Sequence, residues 1–285
     1  MKTFLNLGCG HRYHPDWTNY DLVSHGPAVI AHDLSTGIPQ HDANCGVVYH
    51  SHVLEHLRRP QALPFLRECA RVLEPGGVLR IAVPDLEQIC RGYLNALDRI
   101  TSGDTSGAAD HEWMMMELYD QAVREQSGGG MLGYLRRDTI PNEPFVLQRI
   151  GEEGREILRA LRELSPRQDG FAAPGAASHS RLFDILRVLK RGFRRRVTEW
   201  LLGPGETHKL DVGRFRLAGE IHCWMYDRHS LGELMKQAGF IDPVRQAAQT
   251  SRVPNWTSFN LDTLADGTVV KPDSLYMEAV KPASQ

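Results

Sequence analysis

The chain lacks long hydrophobic runs, a marked charge excess and any paired cysteine motif. No stretch of its 285 residues approaches the ~20 apolar residues that span a bilayer, and the first residues lack the apolar core of a secretory signal. A net charge of -2 excludes a general attraction to DNA or acidic membranes. The five cysteines are scattered without a C-x-x-C pair, which is typical of reduced thiols. We therefore expect a cytoplasmic protein.

Short apolar runs alternate with helical spacing in the first third of the chain. Apolar residues recur at helix spacing over Pro60–Leu73, and the glycines in "EPGG" at 74–77 end that helix. Strands are predicted at Thr3–Leu7, Thr18–Val23, Ala28–Leu34, Cys45–Ser51 and Val78–Pro84. This alternation predicts an α/β fold with a doubly wound, mostly parallel sheet covered by helices on both faces.

The pattern changes in the middle of the chain and then returns. Loop-like stretches rich in Gly, Ser or Pro lie at 99–110, 127–130 and 165–180. The late elements predicted are a capped helix at Ser230–Phe240 and strands at Val244–Ala248 and Ser274–Val280. We therefore predict one α/β domain, residues 1–98 and 216–285, interrupted by a helical cap, residues 99–215, that serves as a lid and specificity element.

Residues 181–196 form a basic amphipathic pattern with seven basic residues and one acid. An ordinary helix with a solvated basic face explains it, and so does peripheral contact with the inner membrane face or with a lipid-linked or glycan-linked acceptor. RNA is disfavoured, because aromatic residues do not alternate with the charges. Oligomeric state cannot be derived from the sequence.

The segment "LNLGCGHRYHP" at 5–15 places Gly8 and Gly10 directly after the first strand. Ligands of open α/β sheets bind outside the carboxyl ends of the strands, and glycine lets the backbone turn sharply and approach them. A tight turn without a ligand is the alternative. A dinucleotide is disfavoured, because Tyr13 stands where the fingerprint has Gly or Ala, and Asp21 follows too soon. The acceptor-only oxygens of Asp21 and Asp33 suit ribose and adenine donors, or local turns.

Five segments in order resemble class I S-adenosylmethionine-dependent methyltransferases, and more narrowly the bacterial type 11 group associated with polysaccharide and other biosynthetic clusters. They are "LNLGCG", "NYDL", "AHDLSTGIP", "VYHSHVLEHL" and "RVLEPGGVLRIAVPDLE", and the ending "HCWMYDRHSL…KPDSLYMEAVKP" is similar too. The resemblance implies a Rossmann-like sheet, S-adenosyl-L-methionine as cofactor, and methyl transfer to a small-molecule or sugar-like acceptor, at oxygen. Other chemistry on the sulfonium ligand, or a membrane-surface role of residues 181–196, is the alternative function.

The resemblance also implies roles for individual residues. The cofactor site comprises Leu7, Gly8, Cys9, Gly10, Arg12, Asp21, Leu22, Asp33, Leu34, His50 and Ser51. Within it, Asp21 would hold the ribose and Asp33 the adenine. Arg12 is expected at the cofactor carboxylate, because the segment before Asp21 is too short for a full first helix. From the residues themselves, His52 is the predicted general base, with His222 as second candidate. Trp224 and Tyr226 are predicted to bind substrate, with a packing role as the alternative.

The stretch "HVLEH" places His52, Glu55 and His56 at i, i+3 and i+4. H-x-x-E-H is also an inverted zinc-protease pattern, but here it follows a strand directly and "RRP" interrupts any long helix. Some methyltransferases carry a related E-x-x-E-H element with a divalent cation, and His222 or His229 could complete such a site. We predict no metal, with Glu55 and His56 tying loops together.

Overall fold

The computed structural model describes residues 3–164, 199–201 and 203–283. They contain a seven-stranded sheet in the order β3-β2-β1-β4-β5-β7-β6. The strands are β1 Thr3–Leu7, β2 Thr18–Asp21, β3 Val29–Ala31, β4 Cys45–Ser51, β5 Leu73–Pro84, β6 Ile241–Gln246 and β7 Ser274–Val280. β1 to β5 pair in parallel, whereas β7 runs antiparallel to both β5 and β6. The predicted α/β fold, doubly wound and mostly parallel, is confirmed.

The chain builds this sheet outward from β1. It passes through β2 to β3 on one side and then returns to β4 and β5 on the other, so the strand order reverses between β1 and β4. Leu7, at the end of β1, is in register with Tyr20 on one neighbour and His50 on the other. The carboxyl ends of these strands therefore meet at one edge, where open α/β sheets bind ligands.

Several element boundaries differ from the sequence prediction for local reasons. β2 ends at Asp21, whose carboxylate accepts a hydrogen bond from the Val23 amide at 3.2 Å and turns the chain. β3 ends at Ala31, because Asp33 caps the 3₁₀ turn at Leu34–Thr36. β5 begins at Leu73, and the glycine-containing segment 74–77 bulges from its register with β4.

The segment around Trp256 packs on one face of the sheet, whereas helices pack on the other face and beyond the carboxyl edge. The helices are α1 Arg59–Val72, α2 Leu86–Thr101, α3 Gly107–Val123, α4 Gly129–Leu135, α5 Glu143–Leu164, α6 Pro204–Leu217 and α7 Arg228–Gln237. α7 is capped by Asp227, whose carboxylate accepts from the His229 and Ser230 amides at 2.8 Å each. Gly239 follows that helix with φ of 97°. α5 is kinked at Gly151, where φ is 61°.

The two largest of four hydrophobic clusters in the described residues underlie this arrangement. The sheet core packs β1, β4, β5 and β7 against α1 and α7. A second core joins α2 to α5 around Trp113, Met114, Tyr134 and Val146, all almost fully buried. Of these helices, α3 to α5 lie within the predicted cap, and α2 joins them from residues that the sequence assigns mostly to the α/β domain.

The predicted linker at 165–180 and the basic segment at 181–196 lie outside the described residues. Within the ranges that are described, no helix has the length and apolarity to cross a membrane.

Candidate functional site

A cleft of about 530 Å³ opens at the carboxyl ends of β1 and β4, at the reversal of strand order. Six predicted site residues line it: Gly8, Cys9, Gly10, Arg12, Ser51 and His52. The opposite wall comes from α5 and from the segment between β6 and β7. Its main polar residues, which the sequence did not indicate, are Glu153, Glu156, Asp262 and Lys271.

The two glycines after β1 have different structural roles. Both have left-handed backbones, with φ of 65° at Gly8 and 54° at Gly10. A Cβ atom on Gly8 would lie 2.3 Å from Cγ2 of Val53, so packing alone requires glycine there. A Cβ atom on Gly10 would have no neighbour within 4 Å, so this residue borders open space. Gly10 is therefore the position where backbone can approach a ligand.

Asp21 holds this glycine loop from the end of β2. Its Oδ2 accepts a hydrogen bond from the Gly10 amide at 2.7 Å, while the Gly8 amide donates to the Tyr20 carbonyl at 2.8 Å. Burial, and then the charge of Asp21, raise the pKa of the Cys9 thiol to about 11. Cys9 is consequently a protonated thiol at neutral pH, which makes it a poor nucleophile.

His52 lies immediately after β4 with a left-handed backbone, φ 54°. Its amide donates to the Ala82 carbonyl at 2.9 Å. The ring places Nε2 2.8 Å from Ser274 Oγ and Nδ1 3.1 Å from Glu55 Oε1. Because a carboxylate accepts only, Nδ1 carries the proton and Nε2 accepts from the serine hydroxyl. The basic nitrogen is thus the one held by Ser274.

Glu55 is fully buried in the turn that follows His52. Burial opposes ionisation of this carboxyl, but the nearby His52, and then His222 and His56, outweigh it and hold its pKa at about 2. His222 approaches from the segment before α7 and is 7% exposed. Burial lowers the pKa of His222 to about 3, so its imidazole is neutral at pH 7.

Some predicted cofactor residues do not present their side chains to the cleft. The His50 ring is fully buried against Phe65 of α1, at a centroid distance of 5.3 Å, so its cofactor role stays a prediction. Alternation along β4 sends Tyr49 and Ser51 to the cleft and His50 to the opposite face. Leu7 likewise lies in the sheet core.

The residues expected at the adenine lie outside the cleft, along the edge formed by β2 and β3. Asp33 is fully solvated and accepts from the Ser35 amide at 2.9 Å, as an N-cap does. Leu34 packs partly against the sheet core, and Leu22 is 65% exposed. Their assignment to the cofactor stays a prediction.

Neither predicted substrate residue lines the cleft. Trp224 is 41% exposed and lies under the Arg59 guanidinium, 4.9 Å from the ring centroid. Tyr226 is 3% exposed and forms a β-bridge with Asp85, and burial raises the pKa of its phenol to about 12. The packing role explains Tyr226 better than substrate contact does.

The cleft residues that the sequence did not reveal are held by long-range contacts. Lys271 Nζ lies 3.1 Å from a Glu153 carboxylate oxygen, which joins α5 to the segment before β7. Asp262 accepts from the Tyr49 hydroxyl at 2.6 Å and pairs with Arg80 at 2.7 Å. Arg80 is fully buried and also pairs with Glu278 at 2.8 Å. No local sequence pattern predicts these contacts, because each joins distant parts of the chain.

One family model matches part of the chain. Residues 16–81 match the model of the family described as "Methyltransferase domain", from just before β2 into β5. The match supports the predicted enzyme class, a methyltransferase. No curated protein matches the chain.

Several solved methyltransferase structures align with almost the whole chain. The complex of the Haloferax volcanii Trm112 methyltransferase activator with a putative methyltransferase gives 11% identity and a TM-score of 0.37, covering 100% of this chain and 83% of that one. The Burkholderia thailandensis 1,6-didemethyltoxoflavin-N1-methyltransferase gives 13% identity and a TM-score of 0.36, and the alignment covers 99% of this chain and 71% of that one. A possible histamine N-methyltransferase of Thermotoga maritima gives 9% identity and a TM-score of 0.37, and the alignment covers 99% of this chain and 83% of that one. At these TM-scores the likeness carries no inference about function.

Proposed function

We propose that this chain is an S-adenosylmethionine-dependent methyltransferase acting on an oxygen of a small-molecule or sugar-like acceptor. One observation carries the proposal. Gly10 has a left-handed backbone beside open space, is hydrogen-bonded to Asp21, and lies at the carboxyl edge of a parallel sheet that includes the matched methyltransferase domain.

The cofactor would lie along this edge, with its sulfonium facing the cleft. Asp21 keeps acceptor capacity beyond its bond to the Gly10 amide, and a carboxylate can accept from both ribose hydroxyls. Arg12 lines the cleft and offers the positive charge that the carboxylate of the methionine part requires. Asp33 and Leu34 would meet the adenine farther along the edge, through the carboxylate and the backbone amide.

Methyl transfer requires the acceptor atom in line with the methyl carbon, and positioning supplies much of the acceleration. A hydroxyl acceptor also needs a base to take its proton. His52 fits that role better than His222, because it lines the cleft whereas His222 does not. Glu55 faces Nδ1 of His52, and the acceptor hydroxyl would replace Ser274 at Nε2.

The cap side of the cleft supports a polar acceptor. Glu153, Glu156, Asp262 and Lys271 give this wall both carboxylates and a cation. Such groups can bind several hydroxyls of a sugar-like molecule, free or linked to a glycan or lipid. An apolar acceptor would remove water from these charged groups and offer them no hydrogen bond in return.

The cofactor assignment is tested by calorimetric titration with S-adenosylmethionine, S-adenosylhomocysteine and NAD. We expect the two sulfur nucleosides to bind and NAD not to bind. Asp21→Asn should weaken their binding about 10–150-fold, since a hydrogen bond to a charged group contributes about 1.5–3 kcal/mol. Asp16→Asn, at an exposed carboxylate nearby, is the matched control and should bind normally. Folded wild-type protein that binds neither sulfur nucleoside would overturn the proposal.

A further inference from the structure

Three potential metal ligands converge behind the cleft wall. The nearest ligand atoms of Glu55, His56 and His222 all lie within 4.8 Å of one another. Glu55 and His56 belong to the 3₁₀ turn at Leu54–His56, and His222 arrives from the segment before α7. The backbone fixes this approach, because the Cys223 amide donates to the Glu55 carbonyl at 2.7 Å.

Glu55 supplies a buried carboxylate that faces imidazole side chains. Its side chain is fully buried, and neither carboxylate oxygen has a well-aligned hydrogen bond among the described residues. His52 Nδ1 lies 3.1 Å from Oε1, which leaves Oε2 available. Buried charges in proteins are paired or coordinate metals, so this carboxylate is a reason to expect a cation here.

The two imidazoles are arranged as ligands rather than as a pair of donors. His56 Nδ1 lies 3.1 Å from the Ile221 carbonyl oxygen. A carbonyl only accepts, so Nδ1 carries the proton and Nε2 keeps its lone pair, as second-shell contacts do for metal-bound histidines. The His222 ring lies 4.9 Å from the His56 ring at an angle of 86°.

We propose that Glu55, His56 and His222 bind a divalent transition-metal ion of the Zn²⁺ or Fe²⁺ type. Two imidazoles and one carboxylate suit these ions, whereas Mg²⁺ favours oxygen ligands. Metal bonds of about 2.0–2.2 Å require ligand atoms about 3–3.5 Å apart, so the side chains must close by about an ångström. His56 lines the cleft, which leaves a route for the ion and a position for water or acceptor.

This site goes beyond the proposed function and does not depend on it. The sequence predicts no metal, and its metal alternative combines His52, Glu55 and His56 with His222 or His229. The structure turns Nε2 of His52 toward Ser274 and places His222 beside Glu55 and His56.

The test uses the full chain, stripped with a chelator, equilibrated with Zn²⁺ and dialysed before metal analysis. We expect one zinc per chain, retained in a large excess of Mg²⁺, and with Co²⁺ the visible absorption of a nitrogen-ligated site. Glu55→Gln and His222→Ala should each weaken Zn²⁺ binding by roughly tenfold or more. His229→Ala, at an exposed histidine on α7, is the matched control and should bind as wild type does.

Circular dichroism of each variant shows whether it folds. If His222→Ala does not fold, the near-isosteric Glu55→Gln provides the test of zinc binding. The proposal is overturned if the folded wild type retains no zinc after dialysis. It is also overturned if Glu55→Gln binds zinc like the wild type, since exposed histidines would then be responsible. All measurements are made without S-adenosylmethionine, so failure of the cofactor titration and failure of this site are distinguishable.

Discussion

Replacing each glycine of the loop after β1 by alanine separates packing from ligand approach. Gly8 and Gly10 both have positive φ, so either alanine costs about 1–2 kcal/mol in backbone strain. At Gly8 the new Cβ would lie 2.3 Å from Val53, and relieving that overlap adds about 1–3 kcal/mol. At Gly10 the new Cβ meets nothing within 4 Å, so no packing cost is added.

We therefore expect Gly8→Ala to lower the free energy of unfolding by about 2–5 kcal/mol and Gly10→Ala by about 1–2 kcal/mol. Urea denaturation measures both values. Titration with S-adenosylhomocysteine then asks what the folded Gly10→Ala protein can bind. Because the added methyl occupies space beside the cleft, we expect its affinity to fall at least tenfold.

Two results would refute this reasoning. Equal losses of stability in the two variants would mean that the space beside Gly10 is not open. Wild-type affinity in folded Gly10→Ala would mean that the ligand does not approach this backbone, and the glycine would be explained by its φ alone.

Three further changes test other parts of the molecule. Ser274→Ala should slow turnover about 2–10-fold by releasing the His52 ring, and should change the pH profile, whereas Ser274→Thr should restore both. His50→Leu should reduce acid sensitivity. Burial lowers the pKa of His50 from 6.5 to about 4, so the unfolded chain takes up this proton at a higher pH than the folded protein does. Denaturation curves should therefore show that the wild type loses about 3 kcal/mol of stability through His50 as the pH falls from 6.5 to 4, and that His50→Leu is spared this loss. Glu278→Gln should cost about 3–5 kcal/mol in urea denaturation, because it removes one buried ion-pair partner, whereas the exposed Glu233→Gln should cost under about 1 kcal/mol.

Local sequence signals predicted the elements of the sheet but not their precise ends. Apolar runs identified β1, β4 and β7 with their observed bounds, because these strands are largely buried and polar residues or glycine flank them. β2 and β3 were predicted too long, since side chains of Asp21 and Asp33 turn the backbone through contacts that composition does not show. At such ends the burial of apolar residues favours a longer strand, whereas side-chain hydrogen bonds to the backbone favour a turn, and here the turn forms.

The site was predictable where it follows the strand ends and unpredictable where the cap meets them. Gly10 and His52 follow β1 and β4, so a parallel sheet brings them together. The alternation of side chains along a strand already predicts that His50 and Ser51 face opposite sides of the sheet, so only one of them can face the cleft. Glu153 reaches the cleft only because α5 bends at Gly151, where the Glu152 amide donates to the Val270 carbonyl at 3.1 Å.

The backbone of His52 links the proposed base to the proposed metal site. A left-handed conformation is costly for a residue with a Cβ and persists only where surrounding contacts impose it. Here the Ala82 carbonyl fixes the amide, Ser274 holds Nε2, and Glu55 faces Nδ1. The resulting turn points the ring into the cleft, and the Glu55 carboxylate lies beside His56 and His222 as well. One carboxylate can therefore orient the base through Oε1 and bind an ion through Oε2, so changes at Glu55 should affect both proton transfer and metal binding, whereas changes at Ser274 should affect only the first.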